Sequence, residues 1–249
     1  MVKKSAKPWL IVAAVVFLLG CNSTPQKDQL DPEPKAELMV SENYIPVVQK
    51  DKTGLPVPYV AAPNPYSGQK GRIDKEAIVQ FIDAQRAYSA GNYAQAKIMA
   101  QSLTVNYKKL SGPWVLLGDI ELEEKQLEAA EAAYATAIIV NQDNVNAYLK
   151  QALVQREQGE YLEAQNTLVE ALQSWPDFPE AHLNLAIVYD LYLNHPIRAQ
   201  RHYEAYQFLT DAKDANGQRW LEEIQVRTGL PLQLQVGDDQ APEVELGDE

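Results

Sequence analysis

Two hexapeptides of nearly one pattern, GNYAQA at 91–96 and GEYLEA at 159–164, stand 68 residues apart, which is twice 34. A step of 34 residues has room for two helices of about a dozen residues each and the turns that join them. Aligned on that step from Ala77, Ser111, Val145 and Pro179, small residues fall in phase. Position 8 of each unit reads Ala84, Gly118, Ala152 and Ala186. Position 20 reads Ala96, Ala130, Ala164 and, after one inserted residue, Ala199. Larger residues recur as well: Tyr93, Leu127 and Tyr161 at position 17, Tyr134, Leu168 and Tyr203 at position 24.

The spacing has a physical reading. Alanine or glycine at positions 8 and 20 lets the backbones of two antiparallel helices approach closely, and the larger residues fill the space around that contact. Gly91 and Gly159 fall where the first helix of a unit must end, and a left-handed residue there costs glycine nothing sterically. Pro113, Pro176 and Pro179 sit where one helix stops or the next starts. A single unit cannot bury its apolar side, so the units must stack, and the stack needs a polar end cap. The segment NGQRWLEEIQVR at 216–227 suits that role, with Trp220, Leu221 and Ile224 on one helical face.

These residues, with the W-x-x-L-G spacing of Trp114, Leu117 and Gly118, resemble the tetratricopeptide repeat, a helix-turn-helix unit of 34 residues. The resemblance spans residues 77–212, with units near 77–110, 111–144, 145–178 and 179–212 and a cap helix at 214–228. It implies an all-α solenoid of about four repeats plus the cap, a domain over 73–228. Lys125 stands where the second unit should have glycine, and Leu193 and Asn194 where the fourth should. The fourth turn, with His195 and Pro196, is one residue longer than standard. Gln80 stands where the first unit should have an aromatic.

The leader constrains location. Lys3, Lys4 and Lys7 precede an unbroken apolar run from Trp9 to Leu19, 11 residues long. That run is too short to span a bilayer, which takes about 20 residues. A basic head before a short apolar run reads as a secretory signal. The run ends LLGC, and Cys21 is the only cysteine in the chain. The ending resembles the bacterial lipoprotein processing box, which implies a signal peptide over 1–20 and a covalent lipid, palmitate included, on Cys21. A lone cysteine forms no internal disulfide, so the competing reading is an ordinary signal with an incidental thiol. Asn22 rather than aspartate after the cysteine implies the outer membrane by the sorting pattern of such lipoproteins, with the body on the periplasmic side. Two or more acyl chains hold a protein stably, at about 0.8 kcal/mol per buried methylene.

Residues 21–72 are expected to be a proline-rich extended tether: 8 of the 15 prolines fall in 22–72. The stretch YIPVVQKDKTGLPVPYV at 44–60 is too apolar for a plain spacer. It reads either as an extended segment resting on the body or as a self-ligand that fills the groove of the repeats. The last stretch, 229–249, is expected to be an acidic, disordered tail; GDDQAPEVELGDE carries six acidic residues and no basic one.

Net charge is −12, which repels phosphate backbones and argues against nucleic acid as a partner. Catalysis finds little support. There are three histidines: His182 at a core-type position, His195 in a turn and His202 on the last second-helix. No HExxH, phosphate loop or G-x-S-x-G motif occurs. His195 and His202, seven residues apart, make no ready chelating pair. No metal and no cofactor are expected beyond the lipid, and no enzyme.

The repeat resemblance implies a concave, partner-binding face lined by the first helix of each unit. Carried over, it comprises Phe81, Gln85 and Tyr88; Val115, Asp119 and Leu122; Asn146, Leu153 and Arg156; and Ile187, Asp190 and Leu191. Ile78, Leu149 and Leu183 flank it, the last two competing between groove and core. The lysine and asparagine set that holds a C-terminal carboxylate in clamp-type relatives is missing. The implied function is a non-catalytic outer-membrane lipoprotein that scaffolds a periplasmic complex, as pilus, secretion, cell-wall and motor-associated lipoproteins of this kind do. Its partners would be periplasmic or outer-membrane proteins. The alternatives are a self-associating homodimer, and an envelope enzyme or ligand-binding protein that uses the repeats as a recognition arm.

Overall fold

The computed structural model describes residues 37–234. Cys21, the leader and residues 235–249 of the acidic tail lie outside the described residues. Nine α-helices occur among those described, and they pair in order. The first pair is α1 (Lys75–Ser89) and α2 (Tyr93–Asn106), the second α3 (Gly112–Glu123) and α4 (Leu127–Val140). The third is α5 (Val145–Gln158) and α6 (Tyr161–Ser174), the fourth α7 (Pro179–Ile187) and α8 (Pro196–Leu209). The last helix, α9 (Ala215–Thr228), packs alone against α8.

The residues in phase at 34 form the contact line. Ala84, Ala152 and Ala186 and all four alanines at position 20 are buried. Each pair turns through one left-handed residue: Gly91 (φ 76°), Lys125 (φ 62°), Gly159 (φ 86°) and Asn194 (φ 54°). The fold keeps the geometry even where glycine is missing, and a side chain must bear the strain at Lys125 and Asn194. Capping follows the sequence in several places. Asp74, Asn92 and Asp214 accept hydrogen bonds from the first free amides of α1, α2 and α9. Proline opens α3, α7 and α8.

The extra residue of the fourth repeat is absorbed inside the helix rather than in the turn alone. After Ile187 the chain widens into a π turn, Val188–Tyr192, in which the amide of Leu193 reaches back five residues to the carbonyl of Val188 at 3.0 Å.

The core falls into three clusters along the stack. Leu103, Leu116 and Ile120 fill repeats one and two, and Leu168, Leu172, Leu185 and Tyr189 fill repeats three and four. Ala130, Tyr134 and Val154 form a smaller one from repeats two and three. At the far end α9 buries Leu221 and Ile224. Full burial of a side chain like Ile224 contributes roughly 1.5–3 kcal/mol. Trp220 stays at the rim, 38% exposed, and leans on Tyr203.

The segment before α1 is fastened to the array over most of its described length. It starts at repeats three and four and returns to repeat one. Met39 exchanges backbone hydrogen bonds with the Gln165 side chain at 3.0 and 3.1 Å. Glu42 meets Arg198 of α8 at 2.6 Å. The chain then reverses around Asp51, whose carboxylate accepts from the amides of Thr53 and Leu55. The Tyr59 hydroxyl donates to Asp177 at 2.5 Å, and the Ala62 amide donates to the other oxygen of the same carboxylate at 2.6 Å. Trp175 Nε1 donates to the Ala62 carbonyl at 2.7 Å. Gln69 ends the strap by bonding Asn141 and Asp143 on the loop between α4 and α5. Residues 44–60 do rest on the body, but against α8 and the α6–α7 loop. The groove-filling alternative places them in the first-helix cleft, which is lined from the strap by Tyr66 and by no residue of 44–60. The expected tail also begins later than residue 229: the amides of Gln233 and Leu234 donate to Glu204 at 2.8 and 3.3 Å.

Candidate functional site

The first helices of repeats one to three present one cleft of about 360 Å³. Phe81, Gln85, Val115, Asp119 and Asn146 line it, joined by Leu149, Lys150 and the strap residue Tyr66. Asp119 is its electrostatic centre. It accepts from Lys150 Nζ at 2.7 Å and from the hydroxyl of Tyr134, on the second helix of its own repeat, at 2.7 Å. Lys150 remains partly open, with its side chain 38% exposed against 19% for Asp119. Tyr88 lies next along α1, its ring tilted by 50° against that of Tyr93 with centroids 5.6 Å apart. Burial, together with the charges of Asp119 and Glu123, pushes its phenol up to about 12, so it stays a neutral donor and acceptor.

None of the twelve expected groove residues is fully buried. Gln85, Asn146 and Leu191 are exposed, and the other nine are half-buried. The face is therefore more polar than the sequence suggests. Of its aliphatic members, Val115, Leu122, Leu153 and Ile187 are partly covered by their neighbours, as are Leu149 and Leu183, and Leu191 is open. The far end differs from the near end. Arg227 of α9 pairs with Asp190 at 2.7 Å, so the cap occupies that carboxylate. Arg156 donates to Asn184 at 3.2 Å. The structure thus brings Phe81, Gln85, Val115, Asp119 and Asn146 into one cleft, and leaves Ile187, Asp190 and Leu191 beyond it. The sequence reading missed Lys150 and Tyr66. Lys150 lies one position past Leu149 in the period and was legible; Tyr66 comes from the strap and was not.

A second polar constellation is buried between repeats three and four. His182 Nε2 lies 2.8 Å from the carbonyl of Pro176, which can only accept. His182 therefore carries its proton on Nε2, and its Nδ1 accepts from Nδ1–H of His202 at 2.9 Å. That leaves His202 Nε2 as an acceptor, so the Ser41 hydroxyl donates to it at 2.8 Å. Ser41 Oγ in turn accepts from the Tyr189 hydroxyl at 2.8 Å, and Tyr189 accepts from Gln165 Nε2 at 2.9 Å. One carbonyl thus sets the direction of the whole chain. Burial lowers His182 to about 4, with the Pro176 carbonyl and Asp177 opposing the shift. Burial, then His182 and Arg198, push His202 well below its ordinary value.

The connectivity of Ser41, His202 and His182 is that of a nucleophile, a base and an orienter, and no motif in the sequence points to it. Ser41 is 0% exposed, however, so its oxygen is covered in the folded chain. In the folded chain the set acts as a clasp that holds the strap. His195 takes no part and is exposed. Among the described residues no group of three or more His, Cys, Asp or Glu side chains is placed to hold a metal.

A tetratricopeptide-repeat family model matches residues 149–191. Solved structures share the fold. MamA from Desulfovibrio magneticus RS-1 is 15% identical with a TM-score of 0.53, covering 64% of this chain and 88% of that one. PilF from Pseudomonas aeruginosa is 19% identical with a TM-score of 0.55, covering 61% of this chain and 69% of that one. TTC0263, a tetratricopeptide-repeat protein of Thermus thermophilus, is 20% identical with a TM-score of 0.50, covering 61% of this chain and 82% of that one. No curated protein matches the chain. The family model thus matches repeat three and the start of repeat four, and the described residues share the all-α repeat-solenoid fold of these structures.

Proposed function

We propose that this protein is a non-catalytic, lipid-anchored adaptor of a bacterial outer membrane, with its repeats in the periplasm. Its cleft holds a segment of a partner protein during assembly of an envelope complex. The observation that supports this reading is the open cleft of repeats one to three. It offers a half-buried ion pair, Asp119–Lys150, beside the amides of Gln85 and Asn146 and the apolar sides of Phe81 and Val115. Such a mixture suits an extended or helical peptide with both apolar and polar side chains. Cys21 supplies the lipid, and Asn22 directs sorting.

A photo-crosslinking amino acid at Asn146 tests the cleft in intact cells. Adducts to another protein are expected there, and few from the same probe at Ile139, which is 80% exposed on the second-helix side. Equal capture at both positions, or adducts only to a second copy of this chain, would overturn the adaptor reading. Cys21→Ala tests the anchor separately: the protein should leave the membrane fraction and keep its helical content.

A further inference from the structure

The two ends of the array are unlike. α9 covers the last repeat, whereas among the described residues no helix stacks on the outer side of repeat one. Aliphatic side chains are left open there. Ile78 and Ile82 stand one turn apart on α1, and Ile98 and Val105 two turns apart on α2; with Ile73 they are between 40% and 66% exposed. The same end carries a concentration of free cations. Lys70, Arg72, Lys75, Lys108 and Lys109 are all exposed, and none has a carboxylate within ion-pair distance among the described residues. Arg72, Lys108 and Lys109 share one open cleft with Ile73 and Val105. Two carboxylates lie in the same stretch, Asp74, which lines that cleft and caps α1 through the amide of Glu76, and Glu76, which accepts from Gln80, so five cations outnumber them. In a chain with a net charge of −12, this end is locally positive.

We infer that the open end of repeat one docks on an anionic lipid surface. The cations would sit at the headgroup phosphates, and Ile73, Val105 and their neighbours would dip into the boundary below. The chemistry favours lipid over a peptide. The aliphatic side chains stand apart on the outer sides of two helices, and the cations present no paired, directional donors for one polar group. An anionic bilayer needs neither. Each cation held near such a surface multiplies the partition coefficient about fivefold, and the attraction weakens with salt. The inference deepens the lipoprotein reading and rests on it in one respect: the acyl anchor explains how an acidic body comes to a membrane at all. Docking would then set repeat one against the membrane.

The test uses the chain from residue 21 onward with Cys21→Ser. It keeps every described residue and omits the apolar leader, which would itself enter lipid. At low salt it should sediment with vesicles of equal parts phosphatidylglycerol and phosphatidylcholine and stay in solution with phosphatidylcholine alone. Lys108→Glu/Lys109→Glu should lower the partition by about twentyfold or more. Lys50→Glu/Lys52→Glu makes the same change in net charge on the strap and should lower it less than about threefold. No sedimentation, equal losses from the two pairs, or capture of a protein at this end with no lipid binding would overturn the inference. Because the protein in this assay carries no acyl chain, the assay can fail while the anchor test succeeds, and the reverse.

Discussion

Gly118 lies directly against the ring of Tyr134: a Cβ built on Gly118 would come within 2.4 Å of Tyr134 Cε1. Position 8 is alanine in the other three repeats, so glycine here looks interchangeable until its partner is considered. Tyr134 occupies position 24 and reaches past Gly118 to place its hydroxyl on Asp119 at 2.7 Å. The pair thus joins the helix contact to the floor of the cleft. Gly118→Ala should cost about 1–3 kcal/mol, the usual penalty for overpacking. With Tyr134→Leu in the same chain, the size repeat three uses at Leu168, Gly118→Ala should cost far less. A urea-unfolding double-mutant cycle measures the coupling, and additive losses would refute this account.

Lys125 makes a prediction of opposite sign. It holds φ at 62° in the turn where repeats one and three have glycine. An L-residue in that region carries about 1 kcal/mol of strain that glycine does not. Glycine also has more freedom to lose on folding, which offsets part of the gain. Lys125→Gly should therefore stabilise the chain by a few tenths of a kcal/mol. Gly159→Ala, at φ 86° with open space around the added carbon, should destabilise it by about 1 kcal/mol, purely through the backbone. Thermal melts of the two variants should move in opposite directions.

These two cases show how much of the fold the sequence could carry. A period of small residues is a local signal, repeated four times, and it locates each helix pair and the left-handed turn between its members. Lys125 and Asn194 broke the glycine pattern without breaking the geometry, because stacking on both sides over-determines the turn. The cleft was half legible. The repeat resemblance supplied Phe81, Gln85, Val115, Asp119 and Asn146, but the cover that neighbouring repeats give to Leu122 or Leu153 depends on the superhelix and not on the repeat pattern. That 44–60 rests on the body was legible in its apolar residues, but the contacts that fasten the strap were not. Ser41 meets Tyr189 and His202 across 148 and 161 residues of chain, and a single serine among prolines leaves no pattern.

Ser41 is expected to control the strap without controlling the array. Ser41→Ala removes the donor to His202 Nε2 and the acceptor for Tyr189, both inside the protein. A buried polar group left without a partner costs about 1–3 kcal/mol. Hydrogen exchange should therefore speed up about five- to hundredfold at the amides of 39–45, while α1 to α4 keep their protection. Asp177→Ala should do the same at Ala62, whose amide it accepts. Unchanged exchange at these amides would mean that the clasp contributes nothing to holding the strap.

The histidine pair makes stability depend on pH in a stated direction. His182 is lowered to about 4 and His202 is well below its ordinary value, both because burial disfavours the charged ring. In the unfolded chain each titrates near 6.5. Between those values the unfolded state binds more protons than the folded one, so unfolding is favoured as pH falls and stability rises with pH. The contribution is fully present above about 6.5 and is lost as pH drops toward the folded values. From pH 7 to 5, where most carboxylates stay ionised, each ring should cost on the order of 2 kcal/mol, and the pair about 4. Protonating either ring would also reverse a donor and an acceptor in the chain from Pro176 to Ser41, so the strap should loosen before the repeats unfold. Urea midpoints across this range measure the slope, and strap exchange measures the order of events. His182→Gln/His202→Gln should flatten the slope whatever it does to stability at pH 7. A wild-type midpoint that stays constant from pH 7 to 5 would show that the rings are not buried as neutral partners.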